Sequence, residues 1–142
     1  MILLDTNVIL EIMRSDGETN ARRWLDAQPT RSIYISAPVL AELRFGVELL
    51  EPGARRARLE QAYERIATDL FVGRILVFDR TAADHFGKLR AKRRRAGKAI
   101  GAMDALIAAI ALANSMILAT RNTGDFEGLE LPLVNPFAVH AD

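Results

Sequence analysis

Four carboxylates in this chain of 142 residues stand where chemistry is possible: Asp5, Glu42, Asp104 and Asp125. Asp5 follows the apolar run at the start of MILLDTNVIL, and Asp125 closes the polar stretch RNTGD. Glu42 shares a helical face with Val39, Leu43, Gly46 and Leu50, so it interrupts an apolar stripe. Asp104 lies in a segment, Ala102 to Ala113, that is apolar on nearly every side and holds no basic residue. An ionised carboxylate in such surroundings costs several kcal/mol unless a cation or hydrogen-bond donors meet it.

Each acid also has a structural use. Asp5 fits a helix N-cap, although Thr6 or Asn7 could cap instead and leave Asp5 to point elsewhere. Glu42 could pair with Arg44, Asp104 could answer a helix dipole, and Asp125 could serve a turn. Those uses need four separate coincidences, whereas one divalent ion accounts for all four. Carboxylates gathered without Cys or His suit Mg²⁺ or Mn²⁺, and such an ion supports phosphodiester hydrolysis.

The elements that must position these acids alternate in type. Ile2–Leu4 reads as a strand and Val8–Arg14 as a helix; ETNARRWLDAQ and SIYISA repeat the pair. APVLAELRFGVELLEPG starts near Ser36 and Pro38, as capped helices do, and stops at Pro52-Gly53. ARRARLEQAYERIATDLF is a further helix, RILVFD a compact strand ending in an acid, and RTAADHFGKLRAKRRRAG a basic helix closed by Gly97. An apolar helix from about Gly101 to Asn114, strand MILAT, the polar loop RNTGDFEG and a short closing run LPLVNP complete the chain. Strands alternating with helices predict an α/β fold with a mostly parallel sheet, in which ligands bind beyond the carboxyl ends of the strands. Asp5 and the loop after Thr120 both fall at such ends.

Length, with no repeat or linker, predicts one domain over residues 1–142. The chain is 50% hydrophobic and 26% charged, the balance of a globular domain rather than a disordered one. No cysteine is present, which excludes disulfides, Cys zinc sites and thiol nucleophiles and permits a reducing compartment. The N-terminus lacks signal-peptide features, and AIGAMDALIAAIALANSMILA is broken by Asp104 and Asn114-Ser115, so a cytoplasmic protein with no membrane contact is expected. His85 and His140 have no second histidine at ligand spacing, and Trp24 is most simply core.

The formal net charge is only +1, so any affinity for nucleic acid depends on where the charges sit. From Arg80 to Lys98 there are eight basic residues and one acid, Asp84, leading towards Asp104. Arg90, Lys92, Arg93, Arg94, Arg95 and Lys98 are the expected phosphate contacts, with a solvated helix end as the bland reading. Few aromatics and no RNA-recognition signature argue against sequence readout by base stacking.

DTNVI, AELRFGVELL, AMDALIA and ATRNTGDF, in that order, resemble the PIN-domain ribonucleases, and more narrowly the VapC-type toxins of toxin–antitoxin pairs. LFVGRILVFD and LPLVNPF also look like the FitB-like branch, and the resemblance runs from Met1 to about Phe137. It implies a three-layer α/β/α fold and an Mg²⁺- or Mn²⁺-dependent endoribonuclease site in which Asp5, Glu42 and Asp104 match the core acids. At the fourth position relatives often carry an acid where this chain has Asn122, with Asp125 three residues on; Asn122 would orient water or substrate while Asp125 supplies charge. Thr6, Asn7 and Thr120 match polar positions beside the acids, where they would hydrogen-bond carboxylates or metal waters. An RNA substrate, a cognate antitoxin blocking the acidic site, a homodimer and a larger assembly binding DNA through the antitoxin are implied as well. The rival readings within the family are a catalytically weak PIN domain acting as a binding partner and a housekeeping nuclease without an antitoxin. Outside it, a phospho-accepting receiver needs a Lys where ATRN offers Arg121, and an Asp-nucleophile phosphatase needs D-x-D where this chain has Asp5-Thr6-Asn7.

Overall fold

The computed structural model describes residues 1–14 and 17–138. Its five strands form one all-parallel sheet: β1 (Ile2–Leu4), β2 (Ile33–Ser36), β3 (Ile75–Leu76), β4 (Ile117–Ala119) and β5 (Leu133–Val134), in the order β3-β2-β1-β4-β5. Six helices connect them: α1 (Thr6–Met13), α2 (Asn20–Ala27), α3 (Ala37–Glu48), α4 (Ala54–Arg65), α5 (Arg80–Arg95) and α6 (Ala102–Ala113). Leu3, Leu4, Leu118 and Ala119 are fully buried although their side chains alternate between faces, so helices cover both sides of the sheet. The expected three-layer α/β/α arrangement is what the chain adopts.

The strand order sets the site. From β1 the chain moves outward to β2 and β3, then crosses back to build β4 and β5 on the other side of β1. The order therefore reverses at β1 and β4, the switch point beyond whose carboxyl ends α/β proteins bind ligands. Asp5 follows β1 directly and its N–H bonds the Ala119 carbonyl at 2.9 Å, which holds the start of α1 against the end of β4.

Two segments differ from expectation. RILVFD yields only the two-residue strand Ile75–Leu76, because β3 is an edge strand paired with β2 alone, and Val77 and Phe78 turn outward. RNTGDFEG is not an open loop: Thr123–Phe126 forms a 3₁₀ turn anchored by the buried ring of Phe126. Helix α4 continues into a π-helical turn, Ile66–Leu70.

Helix ends follow the sequence signals in most places. Gly97, at φ 73°, ends α5 in the left-handed conformation that glycine adopts without strain. Beyond α6, Ser115 takes φ 52° while its N–H reaches the Leu112 carbonyl and that of Met116 the Ala111 carbonyl, so the Asn114-Ser115 break is a helix stop. No helix among the described residues is long and apolar enough to cross a membrane. Trp24 packs, partly buried, against the core.

Candidate active site

Asp5 occupies the N-cap position of α1, and its Oδ1 accepts from the Thr6 N–H at 2.8 Å. Thr6 and Asn7 are therefore not the caps, contrary to expectation. Capping still leaves Asp5 in the site: Oδ2 accepts from the Thr120 hydroxyl at 2.8 Å, across the β1–β4 pair. Asn122 N–H donates to the same Thr120 oxygen at 3.1 Å, which ties the next loop to the end of β4.

The hydroxyl that Thr6 does not use for capping donates to Glu42 Oε1 at 2.8 Å. Glu42 makes no ion pair with Arg44, which pairs with Glu48 at 2.7 Å. The buried stripe of α3 is Val39, Leu43 and Val47 rather than the five positions read from the sequence, and Glu42 borders it. One hydrogen-bonded chain thus runs from Glu42 through Thr6 and Asp5 to Thr120 and the backbone of Asn122. Asn7 lies beside this chain without joining it.

Asp104 lies in the first turn of α6, and the charges of Asp5, Asp125 and Glu42 all act on it. Burial first, then those three carboxylates, push its carboxyl from 3.8 up to about 6. Burial also raises Asp5; the bonds from Thr120 and Thr6 oppose the rise and the charge of Asp125 adds to it. All four expected acids are thereby brought to one electrostatic neighbourhood. Asp125 reaches it because the 3₁₀ turn folds the loop back, with Asp125 N–H on the Asn122 carbonyl at 3.0 Å.

Among the described residues, no three of these side chains already converge on a single point as a closed metal cage does. Two acids are pinned by protein donors and two are not. All-oxygen donors with incomplete protein coordination suit Mg²⁺ or Mn²⁺, which keep several waters and use one or two carboxylates with substrate phosphate, and do not suit zinc. The residues present fit such an ion on the chemistry of that donor set. His85 lines a groove with Lys88, Lys92 and Glu130, and His140 lies outside the described residues.

The basic run divides. Arg93 is 6% exposed and donates to the carbonyls of Lys98 and Asp125 at 2.7 Å and of Glu127 at 3.3 Å. It is an internal tether and not an RNA contact, which corrects the sequence reading: its buried guanidinium holds the Asp125 turn against α5 through Nε and Nη1. Arg90 and Arg94 line a cavity of about 540 Å³ with Phe86 and Ile100. Arg95 is exposed, and Lys92 and Lys98 make only long pairs, 4.0 Å to Glu130 and 3.8 Å to Glu127. Arg121 stacks on Phe137 at 3.8 Å and does not serve the acids.

Ser36, unremarked as a site residue in the sequence, completes the sheet edge. It was expected to cap α3 but makes no capping bond, and Pro38 removes one N–H that such a cap uses. Its Oγ is buried and, among the described residues, has no hydrogen-bond partner. An orphaned hydroxyl of this kind costs on the order of 1–3 kcal/mol.

Acids pinned by threonines thus stand at the switch point of a parallel sheet, an arrangement shared with a known class of domains. Residues 2–129 match the PIN domain, and the chain belongs to that family. It is 44% identical over 137 residues to the plasmid stability protein StbB of Pseudomonas syringae, covering 96% of this chain and 99% of that one. It is 39% identical to the VapC ribonuclease Y4jK of Sinorhizobium fredii, covering 96% and 98%. The solved structure of FitAB bound to an IR36 DNA fragment superposes with a TM-score of 0.91 at 40% identity, covering 99% of each chain.

Proposed function

We propose that this protein is an Mg²⁺- or Mn²⁺-dependent endoribonuclease, the toxin of a toxin–antitoxin pair, silenced by its cognate antitoxin. The observation that supports the metal-dependent chemistry is the crowding of Asp104, whose carboxyl is pushed up to about 6 first by burial and then by the three other carboxylates at the sheet edge. Carboxylates so arranged repel one another, and a bound cation turns that repulsion into affinity. Names of relatives support RNA as the substrate and an antitoxin as the partner: a VapC ribonuclease, FitAB seen on DNA, and a toxin–antitoxin complex from Klebsiella pneumoniae.

Asp5, Glu42, Asp104 and Asp125 would hold the ion, which when bound supplies Lewis-acid activation of water and neutralises charge developing on phosphate. Thr120 and the Thr6 N–H fix the orientation of Asp5, and the Thr6 hydroxyl fixes Glu42. Exposed Asn122 has its side chain free to orient water or substrate beside Asp125. Arg90, Lys92, Arg94, Arg95 and Lys98 hold the RNA backbone; the loose pairs of Lys92 and Lys98 exchange for phosphate at little cost. An antitoxin segment laid over the acids excludes both ion and RNA, and DNA binding by the assembly is the antitoxin's contribution to a toxin homodimer.

Purified protein should cut RNA with Mg²⁺ or Mn²⁺ and stop with EDTA, and Asp5→Asn or Asp104→Asn should lower the rate at least about a hundredfold. Metal-independent cutting, or undiminished cutting by both variants, overturns the mechanism.

A further inference from the structure

We propose that Ser36 is a positioning residue of the acidic site, its buried hydroxyl holding the Asp5 carboxylate through one shared water. The inference rests on the metal-site reading above.

The paired residues Leu3↔Tyr34 and Leu4↔Ala119, carried on with the pleat, place Ser36, Asp5 and Thr120 in one row at the carboxyl edge of the sheet. Residues in one row of a parallel sheet share a face, and the Thr120–Asp5 bond of 2.8 Å confirms it on the β4 side. Asp5 is therefore flanked by two hydroxyls, one bonded to it and one not. Ser36 stands next to Asp5 on the β2 side as Thr120 does on the β4 side, and one water joins two oxygens so placed with two ordinary hydrogen bonds. Asp5 has lone pairs to receive it, since each of its oxygens has one protein donor.

No other use competes for the hydroxyl. It does not cap α3, and no protein acceptor lies within reach among the described residues. An ordered water bonded to Ser36 and Asp5 satisfies the orphan and fixes the carboxylate from the side opposite Thr120. Outer partners of metal-binding side chains typically govern affinity by tenfold or more.

Calorimetric titration of Mn²⁺ into the wild type, Ser36→Ala, Ser36→Cys and Asp5→Asn tests this, with thermal unfolding of each metal-free protein alongside. Ser36→Ala should weaken Mn²⁺ binding roughly tenfold while its metal-free Tm holds, because Asp5 keeps its Thr6 and Thr120 donors. Ser36→Cys, with a similar shape and a weak donor, should also bind more weakly than wild type. If Asp5→Asn loses Mn²⁺ and Ser36→Ala does not, the Ser36 inference fails and the acidic site stands. If Asp5→Asn binds as wild type does, the metal reading itself fails. A lowered metal-free Tm in Ser36→Ala, with Tm and affinity both restored by Ser36→Cys, assigns Ser36 to packing and overturns the proposal.

Discussion

Asp104 carries the strain of the site, and its sign is measurable. Its folded pKa of about 6 lies above the unperturbed 3.8, so the stability tied to its protonation is complete below 3.8 and is lost as pH rises through 6. Asp104→Asn should therefore stabilise the metal-free protein at pH 7, by on the order of 1 kcal/mol once solvent screening of this part-exposed group is allowed for. The gain should vanish towards pH 4, which thermal unfolding across that range checks. The acids were legible because three of them interrupt apolar sequence or end an apolar run. What each would bond to was not: Thr6 offers a hydroxyl to Asp5's helix or to Glu42 with equal plausibility, and only the approach of α3 decides. Ser36 escaped notice because Ser before a helix reads as a cap, although Pro38 two residues on already weakens that reading.

At the scale of elements, α5 does two jobs on two faces. Ala82, Leu89 and Arg93 are its buried positions, seven and then four residues apart, and this inward spacing singles Arg93 out of a basic run that otherwise looks uniform. Arg93→Ala leaves three carbonyls short of a donor and should lower stability by about 3 kcal/mol in urea unfolding, and Arg93→Lys should not restore it because one ammonium cannot replace the fork. Arg95→Ala should leave stability unchanged while weakening RNA binding and flattening its salt dependence in fluorescence titrations. Helix periods and turn residues carried nearly all the elements; the short extent of edge strand β3 and the 3₁₀ turn of Asp125 were not legible, because pairing on one side and the anchoring of Phe126 are tertiary facts.

For the whole molecule, a cation that binds the folded chain must stabilise it by mass action. Adding Mn²⁺ to a hundred times its Kd should raise stability by about 3 kcal/mol in the wild type and by far less in Asp5→Asn, read as a shift in Tm that EDTA reverses. Alternating strands and helices were enough to expect a parallel sheet and a site at its carboxyl edge. They did not give the order β3-β2-β1-β4-β5, which depends on which strands pair across the middle of the chain.

That order has a consequence for timing. The first strand is completed on one side only by a strand beginning at Ile117, and Asp5 gains its second donor only from Thr120. A chain emerging from the ribosome carries Asp5 and Glu42 long before either has a finished sheet edge around it. At roughly 5–20 residues per second, the acidic edge is assembled on the order of ten seconds after synthesis of Asp5. Until that strand and Thr120 have been made, β1 lacks one of its two neighbours and Asp5 one of its two donors, so the acidic edge is among the last parts of the molecule to be completed.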